Sequence, residues 1–292
     1  MPGTQFKQDG SARLKEVGFV ALLLVALGIS LITLLALVLD VVFEGAGSLS
    51  GNFFTETPSR VDPSSSGVAP AIYGTLYLML VCALFIIPVG VASAVYLEEY
   101  ANRERWFNRL IEVNIQNLAA VPSIVYGVLG LAFLVRGPLS LGNVVVAGGL
   151  TLGLLVLPVV IVAGREAIRA VPPSIREGSM ALGATRWQTI WKQVLPASIP
   201  GIATGTILAL SRAIGETAPL IVVGAVAFVT TSDVALFDGT FSALPIQIFG
   251  WTADSNDAFK PLAAAAIIVL MGILLAMNAV AITLRNRYEQ KW

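Results

Sequence analysis

Apolar positions in this chain neither alternate nor mark one helical stripe; they come in long blocks. The blocks run from Val17 to Leu39, Ile72 to Tyr96, Val113 to Val135, Val144 to Val162, Ile202 to Val229 and Leu262 to Leu284. Each is about 20 residues or longer, enough for a helix to cross a hydrocarbon core of roughly 30 Å. Backbone polar groups have no water to bond in such a core, so each block is predicted to be a helix that satisfies its own N–H and C=O groups. The pattern therefore predicts an all-α membrane protein with six transmembrane helices. The first block follows a polar head with Lys7, Arg13 and Lys15, as a secretory signal does. A cleaved signal has an apolar core of only about 7–15 residues, so this block is expected to stay as a helix.

Charge placement orients these spans, because Lys and Arg concentrate in cytoplasmic loops. With the N-terminus inside, all but four of the eighteen basic residues fall in inside segments. The exceptions are Arg60, Arg136 and Lys260 in outside loops and Arg212 within the fifth span. Both termini are expected to be cytoplasmic.

Composition adds exclusions. Hydrophobic residues make up 56% and charged residues 12% of the 292, about half the charge of a soluble domain. There is no histidine, and the single Cys82 lies inside an apolar block. A Cys/His metal site, a disulfide framework and a Cys/His catalytic pair are thus excluded. No G-x4-G-K-[ST] phosphate loop is present, so this chain is not expected to hydrolyse nucleotide. No cofactor and no nucleic-acid partner are expected; the lipid bilayer is. The first outside loop, Glu44 to Val68, is rich in Gly, Ser and Pro and reads as a flexible link.

The inside loop from Gly164 to Pro200 is different. Pro173 to Pro196 opens with a helix-start pattern and ends in a Pro stop, while Gly183 divides it into two short helices. Trp187, Ile190, Trp191 and Val194 recur at helical spacing and predict one apolar stripe. Such a helix suits either the membrane interface or a groove on a partner protein.

Inside the fifth span stands SRAIGETAPL, which puts Arg212 and Glu216 one helical turn apart. An arginine near mid-span costs about 2.5–3.5 kcal/mol on the insertion scale, so it is expected to face protein or water. Two roles are open: an ion pair that locks helices together, or a guanidinium fork presented to an oxyanion along a path that includes Thr217, with Thr204 and Ser211 as further candidates. Asn114, Gln116 and Asn117 line a cavity or make interhelical hydrogen bonds. Gly149/Gly153 and Gly201/Gly205 have the spacing for close helix packing. Pro88, Pro158 and Pro219 interrupt apolar helices.

The inside loop resembles the cytoplasmic motif of binding-protein-dependent ABC importer permeases, E-A-A-x3-G-x9-I-x-L-P. Glu177, Gly183, Leu195 and Pro196 stand at its spacing, whereas Gly178 and Ser179 replace the two alanines and Gln193 an isoleucine. The resemblance implies a type-1 ABC importer permease fold whose loop docks on an ATPase, with Glu177, Gly183, Trp187, Trp191, Leu195 and Pro196 as coupling residues. The R-x-x-G-E-T-A-P-L stretch resembles the phosphate-specific permeases. So do PVGVASAVYLEEYA from Pro88, NLAAVPSIVYGVLGLAF from Asn117 and LVLPVVIVAGREAIRAVP from Leu155. Among these, the A-P-L continuation favours the PstA type over its PstC-type companion. The implied substrate is inorganic phosphate, with sulfate or molybdate as alternatives. The implied partners are a PstC-type second permease, a PstB-type ATPase dimer and a PstS-type external binding protein, in a bacterial plasma membrane. A stand-alone channel or secondary carrier gated by Arg212 and Glu216 is the competing function. The expected organisation is a cytoplasmic tail over 1–16, a first transmembrane helix over 17–43, an extracytoplasmic linker over 44–68, a permease domain over 69–284 with its coupling loop at 164–200, and a cytoplasmic tail over 285–292.

Overall fold

A computed structural model describes residues 10–102, 104–229 and 234–288, and the regular structure among them is helical. Lys7, Arg103 and Lys291 of the expected inside set lie outside the described residues. In chain order the helices are α1 (Gly10–Gly45), α2 (Gly51–Thr55), α3 (Ala69–Val95), α4 (Trp106–Leu118), α5 (Ser123–Gly130), α6 (Val145–Arg169), α7 (Pro173–Ala181), α8 (Arg186–Thr189), α9 (Leu195–Ala213), α10 (Ala218–Val223), α11 (Leu244–Thr252) and α12 (Lys260–Tyr288). Three π-turns, Tyr96–Tyr100, Leu131–Val135 and Ile190–Val194, continue α3, continue α5 and join α8 to α9. Five helical runs are long and apolar enough to cross a membrane, and α4 with α5 makes a sixth if counted together.

Two expected spans are corrected. The third is broken: α4 and α5 meet at 109°. Proline explains the break, because Pro122 biases Val121 away from the helical region and then serves as the N-cap of α5. The fifth span ends at Ala213, and the chain restarts as the short α10 with Pro219 in its first turn. By contrast, α3 and α6 continue through Pro88 and Pro158.

Helix α6 is the centre of the packing. Its Val145, Leu152, Val156 and Val160 join Leu78, Cys82 and Ile86 of α3, Ala209 and Ala213 of α9, and Leu220 of α10 in one buried cluster. Within a bilayer, association gains little from expelling water and depends on close van der Waals contact, which small residues allow. A methyl on Gly149 would fall 2.7 Å from the Val81 side chain, one on Gly153 2.6 Å from the Phe85 ring, and one on Gly201 2.5 Å from Ala167. Thus the first pair of spaced glycines seats α3 on α6, and Gly201 seats α9 on α6. Helix α1 is peripheral, exposed along nearly all its length, with Gly45 packed on the backbone of Ala264 and Ala265 near the start of α12.

The 44–68 segment is folded, which corrects the flexible-link expectation. Phe53 is buried beside Trp251 and Phe259, the Val68 amide bonds to the Phe53 carbonyl at 2.8 Å, and Ser66 Oγ bridges the Ser59 amide (2.8 Å) and carbonyl (3.0 Å). Arg60 stacks over the Phe228 ring. The serines close hydrogen bonds here instead of loosening the chain.

Candidate translocation and docking sites

Arg212 lies in the last turn of α9, not in the middle of a span. A cation there meets the partial negative charge of the helix C-terminus. Beyond it the helix tightens, with the Gly215 amide bonded to the Arg212 carbonyl at 3.3 Å and the Glu216 amide to Ala213 at 3.2 Å. Arg212 Nε reaches Glu216 Oε1 at 3.3 Å, so the pair closes across a helix break and not along one helical face. The Arg212 side chain is 46% exposed and that of Glu216 19%. Among the described residues the guanidinium makes no other hydrogen bond, which leaves its two Nη groups available. Thr217 is the half-buried N-cap of α10, and its side chain makes no capping bond.

The surroundings of this pair are built from both broken elements. Gly127 of α5 sits directly against Pro219 of α10, where a methyl would fall 2.7 Å from the Pro219 Cα. Tyr126 donates its hydroxyl to the Leu118 carbonyl at 2.8 Å, tying α5 back to the end of α4, and lies within electrostatic range of Arg212. Gly224, in the left-handed region at φ +103°, ends α10 and is packed against Asn143. Tyr126 and Gly127 were not singled out in the sequence; the Pro122 and Pro219 breaks are the signal that brings them beside Arg212.

Other expected path residues are elsewhere. Thr204 bonds to the Pro200 carbonyl and accepts a hydrogen bond from Arg285 Nη1 at 3.2 Å, two helical turns before Arg212. Ser211 donates to Asn278 Oδ1 at 2.8 Å and so joins α9 to α12. Asn114 bonds within its own helix, and Gln116 and Asn117 are exposed on α4.

At the opposite end of α9 lies the loop from α6. Helix α7 ends at Ala181, and Gly183 just beyond it takes a φ of +85° that only glycine adopts without strain. Helix α8 then starts with a capping box, Thr185 Oγ1 accepting from the Gln188 amide and Gln188 Oε1 from the Thr185 amide. Pro196 does not stop this helix. The π-turn just before it carries the Leu195 amide back to Ile190, and Pro196 falls in the first turn of α9. The run is therefore continuous from Arg186 to Ala213.

The expected single stripe splits in two. Ile190 and Val194 are buried at 2% and 1% exposure, whereas Trp187 and Trp191 stack on each other with centroids 5.5 Å apart and face outward. The tryptophans border a groove of about 590 Å³ with Pro88, Tyr96 and Tyr100 of α3 and its π-turn. Glu177 and Leu182 of the α7 segment are exposed, Leu182 at 92%. A network of charges, unexpected from sequence, holds this end together. Arg165 Nη2 meets Glu112 Oε1 at 2.7 Å, and Arg169 bonds both oxygens of Glu98 at 3.0 and 3.1 Å.

The chain as a whole is similar to known proteins. Residues 86–288 match the family model described as the binding-protein-dependent transport system inner membrane component. The chain is 34% identical over 221 residues to a phosphate transport system permease protein PstA 1 of Mycobacterium tuberculosis, covering 76% of this chain and 71% of that one. It is 30% identical over 321 aligned positions to a phosphate transport system permease protein PstC of Xylella fastidiosa, covering 98% and 95%. Among solved structures, a chain of a bacterial alginate ABC transporter, in complex with a pentasaccharide-bound periplasmic protein, superposes with a TM-score of 0.67 at 17% identity over 95% of this chain and 96% of that one. The fold is that of a type-1 ABC importer permease, a multi-pass subunit that leaves ATP hydrolysis to a separate subunit. With the family model covering most of its length, this chain belongs to the binding-protein-dependent transport system inner membrane components.

Proposed function

We propose that this chain is the PstA-type permease of an ATP-driven inorganic phosphate importer in a bacterial plasma membrane. The observation that carries the site is the half-exposed Arg212, whose Nη groups are free among the described residues, at a break between two discontinuous helices. Discontinuous helices are where membrane transporters bind polar solutes, because the bend brings polar groups into a protein-lined cavity. A planar guanidinium matches two oxygens of a tetrahedral anion at once. Glu216 holds that guanidinium until the anion competes for it, and Thr217 adds a hydroxyl beside them. The relatives named as phosphate permeases favour phosphate over sulfate or molybdate.

The α7–α8 segment is the docking element for a PstB-type ATPase dimer. Its exposed Glu177 and its turn at Gly183 enter the ATPase cleft, while Leu195 and Pro196 begin the helix that leads back to Arg212. Trp187 and Trp191 stand beside the cleft at the level of the membrane interface, where tryptophan is at home. Both chain ends are cytoplasmic in this arrangement. A PstC-type subunit completes the path, and a PstS-type protein delivers phosphate outside. The nearly full-length match to a PstC protein favours the companion role as a second reading. Supplying this chain to cells that lack only one of the two permeases separates the two: restored uptake in the strain without PstA supports the first, and restored uptake only in the strain without PstC replaces it.

A further inference from the structure

Helix α7 has nine residues, too few to be stable in water by themselves, so its direction is set by the contacts that hold it. Ile175 lies half-buried against Ala94, Ile168, Val171 and Val194, and Ser179 Oγ meets Thr189 Oγ1 at 2.9 Å. The largest tie is Arg176. Its Nε and Nη2 donate to Glu99 Oε1 at 3.0 and 2.7 Å, Nη2 also donates to the Ile168 carbonyl at 2.9 Å, and Nη1 to the Val171 carbonyl at 2.7 Å. One side chain of α7 thus bonds the end of α3, a carbonyl in the last turn of α6 and another just beyond it.

The π-turn at Tyr96–Tyr100 makes this possible. It ends α3 with two adjacent carboxylates that are both buried, the Glu98 side chain 7% and the Glu99 side chain 9% exposed. Glu98 goes to Arg165 and Arg169 of α6, and Glu99 to Arg176 of α7. In a regular helix two consecutive side chains diverge by about 100° and do not share such a task. π-turns of this kind are frequent at functional sites.

We propose that Arg176 and Glu99 form the rigid joint through which α7 moves the transmembrane helices: Arg176 is a positioning residue of the transport cycle, not a substrate-binding one. The joint rests on α7 being the ATPase-docking element. Displacement of α7 then moves the ends of α3 and α6 together. Gly201 of α9, packed on Ala167 of α6, passes it to α9, whose last turn holds Arg212. Loss of the joint lets α7 tilt in place, so that ATP is spent without moving Arg212.

The test uses the whole complex in proteoliposomes, with phosphate imported per ATP hydrolysed as the readout. The joint predicts that Glu99→Gln and Arg176→Ala each lower this ratio about tenfold, within the range seen when one member of a coupling network is changed, while subunits co-purify and ATP is still hydrolysed. The double variant is no worse than Arg176→Ala, because the two act as one unit. Arg176→Lys does not restore the ratio, since an ammonium cannot span a carboxylate and two carbonyls as the fork does. A photo-crosslinker at Leu182 reports docking in each variant. An unchanged ratio with the cross-link to the ATPase intact, or losses that multiply in the double variant, overturns the joint. Absence of the cross-link in the unsubstituted complex overturns the docking assignment beneath it.

Discussion

Arg212 and Glu216 are joined at 3.3 Å across the gap between α9 and α10, the one at the end of a helix and the other beyond it. Four residues apart in sequence, they look like a pair along a helix. In the folded chain they bracket a helix break, and neither Nη group of the guanidinium makes a hydrogen bond among the described residues.

Removing that guanidinium is expected to abolish transport and not assembly. Arg212→Ala should lower phosphate uptake about 100-fold or more, the scale on which truncating one partner of a charged contact acts. Co-purification with the other subunits should be unchanged, because the side chain is 46% exposed and fills no core. Normal uptake by this variant would return the pair to a helix-locking role.

Gly183 tests the docking element. Its φ of +85° costs a residue with a Cβ about 1–2 kcal/mol, more if β-branched. Gly183→Val should keep ATP hydrolysis but separate it from uptake, whereas Gly183→Asn, which tolerates the left-handed region better, should lose less. Parallel assays of phosphate release from ATP and of phosphate uptake read the difference.

The two faces of the α8–α9 run predict opposite costs. Ile190→Ala empties a site 2% exposed and should lower stability by about 2–5 kcal/mol, seen as a lower thermal midpoint in detergent. Trp187→Ala and Trp191→Ala, at outward positions, should leave that midpoint nearly unchanged.

Contact between the broken helices predicts a further result. Gly127→Ala places a methyl 2.7 Å from the Pro219 backbone, so α5 and α10 must separate beside Arg212 and uptake should fall. Gly28→Ala, which meets no atom within 4 Å, is the control expected to transport normally.

What the sequence disclosed follows from which force dominates locally. Apolar length alone locates α1, α3, α6 and α12, since lipid imposes one structural answer on such blocks. The break at Pro122 escaped because apolar composition runs straight through it, and hydropathy does not register a backbone break inside protein; of the three prolines read as interruptions, Pro219 stands at one, whereas α3 and α6 continue through Pro88 and Pro158. Helical periodicity groups Trp187 with Ile190, but only Ile190 is covered by protein, while Trp187 is 60% exposed. The Gly-, Ser- and Pro-rich composition of 44–68 reads as a loose link, yet Ser66 closes two hydrogen bonds there. Glu98, Glu99, Arg165 and Arg176 were visible only as charges near span ends; their pairing is a fact of tertiary structure, separated by 77 residues in the case of Glu99 and Arg176.

The most direct test of the account is uptake of labelled phosphate, with labelled sulfate as control, in cells lacking this chain and in the same cells with it restored. Loss and rescue of phosphate uptake are expected, with sulfate uptake unaffected. Unchanged phosphate uptake together with a defect in sulfate uptake would contradict the substrate assignment while leaving the permease architecture in place.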